Sequence, residues 1–375
     1  MNLLEILRFS QKYLEEREIP KARLTSEKII AHVLHCDKIS LYANFDRTLQ
    51  KEEKEEIKYF LKRIAEERRP FEEVLKDLPA GTGDHREENR ELLRKSVEYL
   101  EKYGVPSPEI DAEYIFAHIL GTRRALLTMQ LAGKIEEEDK NRIREMLWQR
   151  GKLRKPLQYI LGEWEFYGYP FRLDERVLIP RIDTETLVEQ AKHLLTEWER
   201  PKILDIGCGS GAISIALALE LPKAFVTGVD INPGAVEVSR SNKELNKAVN
   251  AQFLQSDLFA RLQGQRFHMI LSNPPYISAA EYETLMPEIV RYEPKNALTD
   301  GADGLRFYER IAKDARLHLE DGGCLVFEIG SKQAKAVREI LEKYDFQVLL
   351  TGKDYGGNDR VVAGRIRGED DVDKT

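Results

Sequence analysis

The chain has 375 residues, 42% of them hydrophobic and 33% charged, with a formal net charge of −7. That length calls for two or three domains, and the acidic balance argues against a large nonspecific nucleic-acid surface. No apolar run approaches a membrane span. The N-terminus has no basic segment leading into an apolar one, so no secretory signal is expected. Cys36, Cys208 and Cys324 are scattered and form no Cys-x-x-Cys pair. Neither a disulfide framework nor a metal site is expected, which fits a reducing cytoplasm.

Residues 2–17 place Leu3, Leu4, Leu7, Tyr13 and Leu14 at helical spacing, and Pro20 closes the segment. Two more amphipathic helices read over 25–34 and 51–68. The pattern then returns at one fixed offset. Ser10, Tyr13, Leu14, Glu15 and Pro20 recur as Ser96, Tyr99, Leu100, Glu101 and Pro106. Glu27, Ala31, His32 and Leu34 recur as Glu113, Ala117, His118 and Leu120, and Leu41, Leu61, Pro70 and Leu75 as Leu127, Leu147, Pro156 and Leu161. Two copies of one small helical bundle follow from this, over residues 1–78 and 89–162, joined by a turn-rich linker at 79–88. His32, His35 and Cys36 could suggest a metal, but the second copy keeps only the first, as His118. A packed core histidine is the better reading.

Past Pro156 the texture turns aromatic and β-branched, so a hairpin bridge is expected over 163–183. Asp183 or Thr184 is placed to cap the helix that follows, and Arg181 with Asp183 reads as a loop ion pair of little worth. From 184 to 367 strands and helices alternate: strands at 202–206, 225–230, 252–256, 267–272, 323–329, 346–351 and 359–366, with a helix expected over 304–319. This implies a doubly wound, seven-stranded, mostly parallel sheet, which binds ligands at the carboxyl ends of its strands. The acidic tail 368–375 reads as disordered.

Four strand ends carry the chemistry. Gly207-Cys208-Gly209-Ser210-Gly211 follows the first strand, and Asp230 ends the second, where it suits ribose hydroxyls. Those features indicate a nucleoside cofactor without choosing its kind. Asp257, followed by Leu258, ends the third strand with an acceptor for an adenine amino group. Asn273-Pro274-Pro275-Tyr276 ends the fourth. Two prolines stop the strand and hold Asn273 extended, giving a stiff corner with a carboxamide, carbonyls and a ring. Such a corner receives a planar group bearing N–H donors. No histidine or lysine–tyrosine set suited to hydride transfer stands on that rim, which makes a methyl donor the better cofactor. The residues alone leave a protein amide and an amino-purine both open.

In combination, Asp205 to Gly211, Val229-Asp230, Ser256-Asp257 and Asn273 to Tyr276 resemble a class I S-adenosylmethionine-dependent methyltransferase. Leu178 to Glu185, Glu293-Pro294, Asp303-Gly304-Leu305, Glu328-Ile329-Gly330 and Asp354 to Val361 narrow the likeness. Together they resemble the family that methylates the side-chain amide of a glutamine in peptide chain release factors. The likeness covers residues 88–366, with the second helical copy as a substrate-recognition module. The chain differs in its duplicated module, in Ile182 where proline is common, and in Leu258 where some members carry tryptophan.

The resemblance implies S-adenosyl-L-methionine as cofactor, held by Gly207, Cys208, Gly209, Ser210, Gly211, Asp230, Asp257, Leu258 and Asn273. It implies substrate binding by Asn273, Pro274, Pro275 and Tyr276, with Asn273, Pro274 and Tyr276 catalytic and Tyr276 stacking on the amide. Class I release factors are the expected protein partners, with neither a membrane nor a stable nucleic-acid complex. A glutamine in a ribosomal protein, or adenine N6 in a nucleic acid, are the competing substrates.

Overall fold

The computed structural model describes residues 2–34, 36, 41, 47–49, 51–76 and 85–366. They fall into two compact units, Met1–Arg154 and Lys155–Thr375. The boundary places 155–162, expected in the second helical copy, with the sheet. A helix starts at Arg86, within the linker expected at 79–88. His35, residues 77–84 and the tail 368–375 lie outside the described residues.

In the first unit, helices Leu3–Glu15, Ala22–Val33, Lys51–Glu67 and Phe71–Lys76 close around Leu3, Leu14, Ile29, Ile30, Phe60 and Ile64. His32 stands edge-on to Phe60 and Phe71, with ring centroids 5.5 Å apart in each case. That is the contact of a packed ring. The later helices Arg86–Lys102, Pro108–Ile119 and Glu137–Gly151 repeat the plan. Here a buried ion pair is added: Arg150 Nε donates to Asp111 Oδ2 at 2.5 Å, with both side chains at most 10% exposed. The matching positions of the first copy hold Thr25 and the buried Ile64.

The second unit opens with a hairpin, β1 (Glu163–Phe166) and β2 (Tyr169–Arg172). Seven strands follow: β3 (Lys202–Ile206), β4 (Phe225–Asp230), β5 (Ala251–Gln255), β6 (Phe267–Ser272), β7 (Leu319–Glu328), β8 (Phe346–Lys353) and β9 (Asp359–Ile366). Their order is β5-β4-β3-β6-β7-β9-β8, parallel except where β9 pairs with β7 and β8. The helix expected over 304–319 is shorter, Arg306–Ala315 with a 3-10 turn to His318, because Leu319 already pairs with Phe267 in the sheet.

Both faces of the sheet are covered, so the strands run as continuous apolar segments with period-two sorting. Met269 and Leu271 of β6, with Cys324 and Val326 of β7, face Leu187, Val188 and Ala191 of helix Glu185–Leu194. Ile270, Leu325 and Phe327 face Tyr308 and Ile311 of helix Arg306–Ala315.

The Asp111–Arg150 pair yields a prediction. Asp111→Ala, which removes a carboxylate from a buried guanidinium, should cost about 3–5 kcal/mol. Asp111→Thr with Arg150→Ile, which copies the first bundle, should recover most of that. Urea denaturation of the three proteins checks both.

Candidate active site

The carboxyl ends of β3 to β6 meet at one rim, on either side of the point where the strand order reverses between β3 and β6. A cavity of about 280 Å³ opens there. Gly207 and Gly209 line it after β3, Asp230 at the end of β4, Asp257 and Leu258 after β5, and Asn273, Pro274 and Pro275 after β6. Three other lining residues, Arg176, Phe307 and Arg310, carry no motif that marks them. They arrive from a loop and from a helix distant in sequence.

On the glycine side, Gly207 and Gly209 have φ of +76° and +54°, a region that L side chains rarely adopt. A Cβ at either would meet no atom within 4 Å, so bare backbone faces open space. Asp230 Oδ2 accepts from Gly209 N at 3.0 Å and Oδ1 from Asn232 N at 2.9 Å. Each oxygen keeps a lone pair for a ligand hydroxyl. Burial raises the Asp230 pKa, and the backbone donors oppose the rise. Asp257 pairs with Arg310 across 3.2 Å.

Cys208, Ser210 and Gly211, expected in the cofactor set, are not among the residues lining the cavity. Cys208 is buried, and burial pushes its thiol pKa well up. Ser210 is also buried, and Gly211 serves as the N-cap of helix Ala212–Glu220. Below the loop lies Asp205, wholly buried, whose Oδ2 accepts from Ser214 Oγ at 2.5 Å while Oδ1 has no partner. Burial pushes its pKa up to about 7.

At the proline corner, Asn273 Nδ2 donates to Thr184 Oγ1 at 3.3 Å. Among the described residues, no backbone donor reaches the Pro274 carbonyl. Tyr276, expected to stack on the substrate amide, is half-buried and packs on the cluster holding Ile270, Tyr308 and Phe327. Its hydroxyl donates to the buried Glu328 Oε1 at 3.3 Å. Its carbonyl accepts from Gln333 Nε2 at 3.0 Å, and Ile277 N bonds to Leu298 O at 3.0 Å, so the corner is braced on both sides.

The loop before helix Glu185–Leu194 also differs from its reading. Thr184 makes no side-chain cap bond. Arg181 pairs at 2.6 Å with Glu293, whose side chain is 1% exposed, and Asp183 instead pairs with Arg360 at 3.1 Å. With one partner buried, the Arg181 pair is no ordinary surface bridge.

Comparison with known proteins adds the family. The model of the PrmC N-terminal domain matches twice, at residues 5–72 and 91–162, and that of the methyltransferase small domain matches residues 181–303. The release factor glutamine methyltransferase of Fusobacterium nucleatum is 53% identical over 90% of this chain and 94% of its own. The chain belongs to the release factor glutamine methyltransferase family. Geobacter sulfurreducens has a relative of the same name, 41% identical over 74% of this chain and 96% of its own. A methyltransferase structure from Pyrococcus furiosus is 19% identical, covers 60% of this chain and 98% of that one, and has a TM-score of 0.39. As a member of this family the chain is a methyltransferase that uses S-adenosylmethionine. The bare glycine backbone and the spare lone pairs of Asp230 fit the nucleoside part of that cofactor. Among the described residues, no helix is long and apolar enough to cross a membrane.

Two predictions come from this geometry. A Cβ on Gly304, where φ is +82°, would lie 2.2 Å from the Tyr276 carbonyl oxygen. Gly304→Ala should therefore displace the corner and lower kcat about tenfold or more, on the scale of misplaced reacting groups. Steady-state kinetics with a cofactor-binding control checks this. Asp205 titrates from about 7 in the folded protein against an ordinary value of 3.8. The folded state thus holds its proton more tightly, and the stability this provides is lost as pH rises toward 7. Asp205→Asn should show a smaller fall in stability between pH 5 and pH 8 than the parent, measured by urea denaturation without ligand.

Proposed function

We propose that the enzyme methylates the side-chain amide nitrogen of a glutamine in class I peptide chain release factors, and that the Asn273–Pro274 corner presents that amide to the cofactor. The observation that carries this reading is one shared cavity. Gly207, Gly209 and Asp230 line one side, and Asn273, Pro274 and Pro275 line the other. Cofactor and planar amide would meet there.

An amide nitrogen is a poor nucleophile because its lone pair is delocalised into the carbonyl. Bound S-adenosylmethionine supplies a methyl group on a sulfonium, which leaves without further activation. The protein's task is therefore placement. Asn273 Oδ1 and the Pro274 carbonyl accept the two amide N–H bonds and turn the lone pair toward the methyl donor; once the N–C bond has formed, one of the two amide protons leaves to solvent. Fixed acceptors gain strength as positive charge develops on nitrogen, so they act in the transition state more than in the ground state. Positioning of this kind contributes up to ~7–11 kcal/mol in well-aligned systems. Gly207, Gly209 and Asp230 hold the nucleoside portion, with Asp257 and Leu258 beside the purine. Tyr276 would stack on the planar amide, with its hydroxyl anchored on Glu328.

Release factors act in the cytoplasm, which is the location this function requires. The second helical copy, residues 89–162, would recognise the protein substrate; the same family model matches both copies, at 5–72 and 91–162. With net charge −7, no stable nucleic-acid complex belongs to this reading.

Asn273→Ala should lower kcat by ~10²-fold or more, on the scale of a lost preorganised hydrogen-bonding group, with little change in cofactor affinity. Asp230→Ala should mainly weaken cofactor binding. Methyl transfer from labelled S-adenosylmethionine to a release factor, to the same factor lacking its glutamine, to ribosomal proteins and to DNA tests the substrate. Label confined to the intact release factor is expected. Label on DNA, or on the factor without its glutamine, would overturn the reading.

A further inference from the structure

Glu328 is a buried carboxyl that the methyl transfer itself does not use. The sheet explains why it stands where it does. In the β6–β7 register, Leu271 lies beside Val326 and Ser272 beside Phe327. One residue further, Asn273 falls beside Glu328. Leu271 and Val326 pack on the face covered by helix Glu185–Leu194. By period-two alternation Asn273 and Glu328 emerge on that same face, where Thr184 precedes the helix.

Asn273, Thr184 and Glu328 lie close together. Asn273 Nδ2 donates to Thr184 Oγ1 at 3.3 Å. The Thr184 hydroxyl is buried and unused as a cap, and it acts to lower the pKa of the neighbouring Glu328. Tyr276 donates a second hydroxyl to Glu328. Glu328 is 1% exposed; burial pushes its pKa up to about 7, and Thr184, Arg360 and Tyr276 oppose the rise. In its ionised form it can only accept hydrogen bonds. Thr184 then sends its proton to Glu328, and its oxygen is left to accept from Asn273.

An asparagine carboxamide has a donor end and an acceptor end of nearly equal shape. Resting on that reading of Asn273 as an amide clamp, we propose that Thr184 and Glu328 are positioning residues that fix the carboxamide with its acceptor oxygen toward the substrate. Without Thr184 the carboxamide turns freely, and in half its orientations an N–H meets the N–H of the substrate amide. The Thr184–Glu328 pair therefore sets which chemical group the corner presents, and through it the preference for an N–H donor.

The test is a double-mutant cycle in single-turnover methylation of a release factor, with cofactor affinity and thermal melting as controls. Thr184→Val, close in shape but without the hydroxyl, should lower the rate about tenfold, the scale of one lost hydrogen bond. Its cofactor affinity should stay near that of the parent, and Thr184→Ser should restore most of the rate. In an Asn273→Ala background, Thr184→Val should cause no further loss, because its effect passes through Asn273. An equal loss in both backgrounds, or no loss in either, would overturn the proposal. If Asn273→Ala itself turns over like the parent, the amide clamp fails, and the positioning role fails with it. Should Thr184→Val not fold, Thr184→Ala in the same cycle gives the same comparison.

Discussion

The structure depends on where β6 is made to stop. Pro274 and Pro275 have no N–H to continue a ladder, so the strand ends at Ser272 in the buried middle of the sheet. Because β3 to β7 are parallel, every neighbour ends at the same rim, and that one stop fixes which groups share it. Asn273 is held extended at the strand's end, beside the glycine backbone of the next strand and the carboxylate of β7. The braces around the corner, Gln333 on the Tyr276 carbonyl and Gly304 in close backbone contact, keep a loop without regular secondary structure as fixed as the strands.

This arrangement places the chemistry in backbone, a carboxamide and one carboxylate. Asp230 offers a nucleoside oxygens already half-used by backbone amides. The corner offers a carboxamide oxygen and a carbonyl. The buried acids, Asp205 and Glu328, sit one layer below the cavity wall, each with one oxygen lacking a partner. Such groups are costly to bury. At Glu328 that cost is tied to the orientation of Asn273.

The sheet and the four strand ends were legible because they rest on local signals: buried apolar runs, glycines, prolines, and acids at strand termini. The repeat was legible because one offset matched along the whole module, and two family-model matches beginning at 5 and 91 follow it. What could not be read came from groups meeting across long separations. The Tyr276 hydroxyl found Glu328 across the sheet, and Arg181 found Glu293 where Asp183 seemed the nearer partner. Arg310 reaches Asp257 from a helix whose own periodicity carries no sign of a cavity. Thr184 looked like a cap, and only the register of β6 on β7 gives it another use.

The central claim is that one amide of a protein substrate is gripped by Asn273 Oδ1 and the Pro274 carbonyl. A crystal structure with S-adenosylhomocysteine and a release-factor peptide carrying the glutamine tests it most directly. The glutamine nitrogen should lie within hydrogen-bond distance of both acceptors, with its amide plane facing the sulfur. A glutamine bound elsewhere, or held by Asn273 Nδ2 through its carbonyl, would contradict the account.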